Sequence, residues 1–480
     1  MRKINIIGLI LLIIVMPYCS VWGHPLLPVP CQPPQSIPYL QSQWTVLIYM
    51  SADNELDQYA INNIHEMESV APPAEAVNPG LTILVQLDRS SRNSGAEQWK
   101  DTRRYHIVSD PKMALLYDQV KDQRLPCLAD SPHPDSPIYK LRGRIPHTLP
   151  LNATVPVVPI TGLGQIHSPR LDSPPLGKLD MGNPQTLNDF IRWGQHFAPA
   201  EHYLVITWGH GCGWMVDDDT LRGGKAKSFC DDEGFDPNCT SINSAEISLA
   251  LEGAHHIDVL AMDNCMMAMF EVAYQVRQQV DYLTVSEEEI PDRGFDYRDY
   301  LDKLTRAHGN MLPATLAQLI ASNNVSTWQH YGFGNTLTDS TVLPGKTIAA
   351  ASALHILAQR LTAVHHRYSR ALRRARTECM QFGMVTDYAE PSNLIDLCDY
   401  LQRLILYVPD SIVRKDARIA EQAVHACVLS NHASPPYTFA NGLSIYVPPA
   451  RIMTREYIRN YGAFAFCHDT AWLQWLTHTP

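Results

Sequence analysis

Two short runs hold the residue types that bond-breaking chemistry needs. Ile257 to Cys265, IDVLAMDNC, is an apolar, β-branched run that ends in Asp263, Asn264 and Cys265. His202 to Gly211, HYLVITWGHG, is a second apolar run, ending with His210 between Gly209 and Gly211. A thiol attacks only as a thiolate, and amide cleavage also needs an acid to protonate the departing nitrogen. Cys265 and His210 supply that pair. The flanking glycines let a substrate backbone approach closely, and the amides of Gly211 and Cys265 are candidates for an oxyanion hole. Each half alone has an ordinary structural reading, since lone cysteines are mostly packing and strand-end histidines make structural hydrogen bonds. The pair says more than either half.

Both runs read as buried strands. After Cys265 a helical period sets in, with Met266, Met269, Phe270, Ala273 and Val276 on one face. Cys265 is therefore expected beside a helix N-terminus, whose partial positive charge lowers a thiol pKa. In a parallel sheet the C-terminal strand ends share one edge, so His210 and Cys265 can face one crevice.

The rest of the chain supplies such a sheet. Trp44 to Met50, Leu81 to Asp88, Thr102 to Val108 and Tyr282 to Glu287 read as strands. Leu56 to Val70, capped by Asp53 or Asn54, and Pro184 to Phe197 read as helices, and Phe295 to Thr305 as the start of another. This alternation predicts an α/β domain over 44–310, a mainly parallel sheet flanked by helices. Within it, prolines from Pro111 to Pro175 break every pattern, so 110–176 reads as a surface insertion, partly ordered at best. Residues 311–480 read as a mainly helical C-terminal region packed on the first, with helical patterns at Leu312 to Ile320, Ala349 to Leu372 and Asn393 to Leu406. Gly442 to Pro448 is its one expected strand.

Composition bounds the function. A formal net charge of -11 and the lack of a basic block argue against nucleic-acid binding. Arg2 and Lys3 precede the apolar run Ile4 to Met16, which reads as a signal peptide over 1–23, cleaved before His24, with a proline-rich leader over 24–43. That run is short for a bilayer span and no later stretch is apolar enough, so a secreted or periplasmic protein is expected. A lipid anchor at Cys19 is the weaker reading, because Met16, Pro17 and Tyr18 make a poor lipobox. Of 11 cysteines, Cys230 and Cys239 are close enough in sequence to pair, and no CxxC spacing suggests zinc.

In these motifs the sequence resembles the clostripain-type cysteine peptidases of the caspase-like superfamily. The matching segments are WTVLIYMSADNELD at Trp44, MGNPQTLNDFIRW at Met181, AEHYLVITWGHGCGW at Ala200, DNCMMAMFEVAYQ at Asp263, SEEEIPDRGFDY at Ser286 and GLSIYVP at Gly442. The resemblance implies a caspase-like fold and hydrolysis of protein or peptide substrates after Arg or Lys, with His210 and Cys265 as the dyad. It implies Asp263 at the base of the specificity pocket. A second pocket acid is assigned to Asp296, with Asp292 as the alternative. It also implies an inactive precursor, cut after Arg222, Lys225 or Lys227 in the loop 217–240. Some relatives need calcium, for which Asp217, Asp218, Asp219, Asp231, Asp232 and Glu233 offer oxygen ligands without EF-hand spacing; an acidic solvated loop is the simpler reading. Otherwise no cofactor is expected. Cys212 departs from the family, which usually has serine there. The alternatives are the same fold with another specificity, or a binding protein on this scaffold without catalysis.

Overall fold

Strand β1, Ser42–Ala52, is apolar on both sides: Val46, Ile48 and Met50 face one way, Leu47 and Tyr49 the other, and all are fully buried. Side chains alternate along a strand, so such a segment needs a sheet covered on both faces. The computed structural model describes residues 42–90, 99–120, 125–126, 154–155, 165–215, 227–234, 240–330, 337–383, 393–437 and 439–480. The expected signal peptide and most of the leader, with Arg222, Lys225, Cys239 and Asp217 to Asp219, lie outside the described residues.

β1 pairs in parallel with β2, Leu81–Arg89, on one side. β3, Thr102–Ile107, runs antiparallel to β2 and closes that edge. On the other side β1 pairs in parallel with β4, Ala200–Trp208. From β4 a short hairpin leaves the sheet as β5, Gly211–Met215, and β6, Lys227–Asp232. β7, Ile257–Asp263, and β8, Val280–Val285, continue the parallel set. β9, Thr338–Val342, and β10, Val428–Ala433, add two antiparallel strands. The sheet order is therefore β10-β9-β8-β7-β4-β1-β2-β3.

Helices cover both faces. α1, Asp57–Glu68, packs on one face with helices Tyr297–Arg306 and Pro313–His330, through Ile64, Leu301, Leu304 and Leu316. The other face takes Pro184–Phe197 through Phe190 and Ile191, together with the C-terminal helices Thr347–Glu378, Leu397–Tyr407 and Ser411–His425. Thr347–Glu378 belongs to the one described helical stretch long and apolar enough for a bilayer, yet Leu354, Leu357, Ala358 and Leu361 are fully buried in the core.

Two expectations are corrected here. The chain after Met311 carries two strands of the central sheet, β9 and β10, besides its helices; their polar residues, such as Asp339 and Asn431, hid them from a pattern search. The expected helix at Asn393 begins at Leu397, after a short strand Leu394–Asp396 whose last residue caps it. The proline-rich insertion, expected to be partly ordered at best, is ordered at both ends. Pro111–Val120 is a helix, and Leu171 and Pro169 hydrogen-bond the backbone of β3. Glu68 is buried and accepts from both the amide and the hydroxyl of Ser168.

Candidate active site

Strand register places His210 and Cys265. Asp263, the last residue of β7, pairs with Trp208, the last of β4. His210 and Cys265 each lie two residues beyond that pair, so they leave the same edge at the same level. The two turns are joined by Asn264, which is buried: its Nδ2 donates to the carbonyls of Gly209 (2.9 Å) and His210 (3.1 Å), and its Oδ1 accepts from the Thr207 hydroxyl (2.6 Å). Sequence reasoning passed over Asn264, although it stands between the two acids of chemistry in Asp263-Asn264-Cys265. Gly211 presses directly on the Cys265 backbone, where a Cβ would come within 2.5 Å of the Cys265 carbonyl oxygen and 2.6 Å of its nitrogen. No side chain fits there, which explains the glycine and holds the Gly211 and Cys265 peptides together.

His210, Asp263, Cys265, Asp292, Leu56 and Trp208 are among the residues lining one open cleft. The Cys265 thiol is half-buried under Ile290: its sulfur accepts the Ile290 amide at 3.3 Å and approaches the Ile290 carbonyl oxygen at 3.7 Å. Burial, with the nearby charges of Glu289, Asp292 and Glu288, pushes the thiol well above its usual range. The expected helix does not begin at Cys265. Met266 adopts a left-handed conformation (φ 59°), and the helix runs only from Phe270 to Gln275. Met266 and Ala268 instead donate to the carbonyls of Glu288 and Ser286, so backbone pairing with that segment displaces the first helical turn. The helix-end contribution to thiol acidity is thereby lost.

His210 is about one-third exposed, and its Nε2 lies 2.8 Å from Glu55 Oε1. Burial pulls the imidazole pKa down, but the Glu55 hydrogen bond and charge, with Asp231 and Asp292, outweigh it and raise the value. Glu55 was not anticipated; its place as the fifth residue of SADNELD gave no sign of it.

Asp263 stands on the cleft floor. Its Oδ2 accepts from the Phe295 amide and the Tyr297 hydroxyl, each at 2.9 Å, and burial pushes its pKa up to about 7 against those two bonds. Asp296 is not brought to the cleft. It is the N-cap of helix Tyr297–Arg306, where its Oδ1 accepts the Asp299 amide at 3.2 Å and its Oδ2 the Thr327 hydroxyl. An Asp one residue before a helix satisfies an otherwise unpaired amide. Asp292, the alternative, lines the cleft.

Of the acidic stretch offered for calcium, Asp232 is fully buried rather than solvated, in a carboxylate group with Asp53 and Asp88. The Lys178 ammonium bonds both Asp53 and Asp88 and supplies the countercharge. Burial still raises Asp88 to about 7, with Lys178 pulling the other way. Replacing Lys178 by methionine strands these buried carboxylates and is expected to cost roughly 3–5 kcal/mol in urea unfolding at pH 8. Asp231 offers its backbone, accepting from Ser51 and Asn54. Lys227 opens β6. Cys212 donates toward the Ser228 carbonyl at 3.5 Å, and Cys230 is a buried free thiol.

The class that the fold defines is an α/β protein with a mainly parallel sheet, a cysteine and a histidine standing just beyond adjacent strand ends. The Clostripain family model matches residues 170–478, and the chain belongs to that family. Clostripain of Hathewaya histolytica is 25% identical over 273 residues, 55% of this chain and 43% of the relative, so the match spans less than half of that protein's length. A secreted C11 cysteine protease of Bacteroides thetaiotaomicron, solved with an irreversible peptide inhibitor, shares the fold at 15% identity, covering 91% of this chain and 99% of its own (TM-score 0.56). An inactive zymogen C11 protease of Parabacteroides distasonis does so at 17% identity, covering 90% and 99% (TM-score 0.55).

Proposed function

We propose that this protein is an exported cysteine endopeptidase that hydrolyses peptide bonds after Arg or Lys. The observation that carries the reading is one cleft holding Cys265, His210 and two carboxylates, Asp263 and Asp292. Two acids lining one cleft suit a guanidinium or ammonium at P1. The Cys265 thiolate attacks the carbonyl carbon, and the amides of Gly211 and Cys265 take the developing oxyanion. As the C–N bond breaks, the His210 imidazolium protonates the leaving amine, and water then cleaves the thioester.

The thiol beneath Ile290 fits a latent precursor, and activation by a cut after Arg222, Lys225 or Lys227 would accord with the zymogen form of a structural relative. Export is supported by the N-terminal charged and apolar pattern and by a secreted relative. The bond-breaking step asks for no cofactor. A calcium requirement would fall on the acidic stretch from Asp217 to Glu233, and EDTA in the same assay reads it.

The test is a panel of reporter peptides ending in Arg, Lys, Asn or Asp, with and without thiol alkylation. Alkylation-sensitive cleavage after Arg or Lys is expected. Cleavage after Asn or Asp alone would remove the basic-pocket assignment, and no cleavage of any would favour a binding protein.

A further inference from the structure

The catalytic reading uses Cys265 and His210 and leaves the contact of His210 with Glu55 without a role. Met50 of β1 pairs with Trp208 of β4, so Glu55, just past β1, leaves the same sheet edge as His210 and Cys265. Its carboxylate takes Nε2 at 2.8 Å. An imidazole that donates its Nε2 proton to a carboxylate keeps the Nδ1 lone pair for the reaction, because neutral imidazole carries one proton.

We propose that Glu55 is a positioning residue for His210, fixing the ring's tautomer and orientation so that Nδ1 serves the thiol and the leaving amine. The inference rests on the cysteine-peptidase reading above. Nδ1 takes the proton from Cys265 Sγ, giving a thiolate and an imidazolium. It returns that proton to the amine as the C–N bond breaks, and Glu55 stays a carboxylate throughout. Three acids bear on the ring: Glu55 from the loop after β1, Asp231 from β6 and Asp292 from the segment over the cleft. The Cys265 thiol faces the same cleft. Of the three acids, Glu55 is the one whose carboxylate lies 2.8 Å from Nε2 and hydrogen-bonds the ring, the contact through which a tautomer is selected. The competing account is an ordinary surface ion pair, since Glu55 is 67% exposed and such pairs contribute little.

The experiment compares wild type, Glu55→Gln and Glu55→Asp as full-length protein, by pH profiles on a basic reporter peptide and by NMR titration of the His210 ring. Glu55→Gln is expected to lower kcat by about 10-fold or more with little change in KM. It should also move the imidazolium-dependent limb, and the ring pKa, to lower pH, because an amide no longer favours the charged ring. Glu55→Asp should restore part of both. Superimposable profiles and an unmoved ring titration would overturn the proposal, as would a faster Glu55→Gln enzyme, which would mark the contact as a restraint. A wild type that cleaves no reporter would sink the peptidase reading itself, and the ring titration would still decide whether Glu55 sets the state of His210.

Discussion

Cys265→Ala is expected to remove alkylation-sensitive cleavage, with kcat falling on the order of 10⁵-fold, because the proposed mechanism makes the Cys265 sulfur the attacking atom. The fold should survive. The lost contacts are the sulfur's two bonds with Ile290, from its amide and to its carbonyl, and partial burial, and a net hydrogen bond is worth only about 1 kcal/mol. An unchanged circular dichroism spectrum with no activity would therefore locate the defect in the chemistry. The same variant reads self-processing: wild type should be cut within 217–240 and Cys265→Ala should remain one chain. Identical fragments from both would show that other proteases cut the loop.

The second large effect belongs to Asp263→Asn. The amide keeps the shape and can still accept from Phe295 and Tyr297, but it cannot neutralise a basic side chain. Loss of one partner of a buried charge pair costs roughly 3 kcal/mol, so kcat/KM on Arg peptides should fall about 10²-fold. The pH dependence separates this from simple misfolding. Asp263 holds its proton up to about pH 7, and only its carboxylate binds a guanidinium. Wild-type kcat/KM should therefore rise with pH toward 7, and the variant should lose the part of that limb due to Asp263. Stability runs the other way. The folded pKa lies above the ordinary value of 3.8, so the stability linked to this proton is complete below about pH 4 and is lost as pH climbs through 7. Asp263→Asn has no charge to bury and should show a flatter stability profile between pH 4 and 8.

The nucleophile strand, the histidine strand and β1 were legible because their apolar runs are long and end in recognisable turns. Their pairing could be inferred, since parallel strands put their C-terminal ends on one edge. The strands after Met311 were not legible. β9 reads TDSTV, and buried polar residues such as Asp339, held by Asn324, break the apolar pattern. The helix expected at Cys265 failed for a related reason: a sound helical period lost its first turn to backbone bonds with Ser286 and Glu288, which lie far along the chain.

Sequence by itself determined which cysteine and histidine are the candidates, the glycines beside the histidine, and the membership that motif order implies. Those are properties of residue type and local spacing. Tertiary structure alone decided which acid faces the cleft, sending Asp296 to a helix cap and Asp292 to the lining, four residues apart on one loop. It also decided that Asn264 ties the two turns together, that Ile290 covers the thiol and that Glu55 meets His210. Each of these is a contact between segments brought together by the sheet, and the direction a loop side chain takes is set by its neighbours in space.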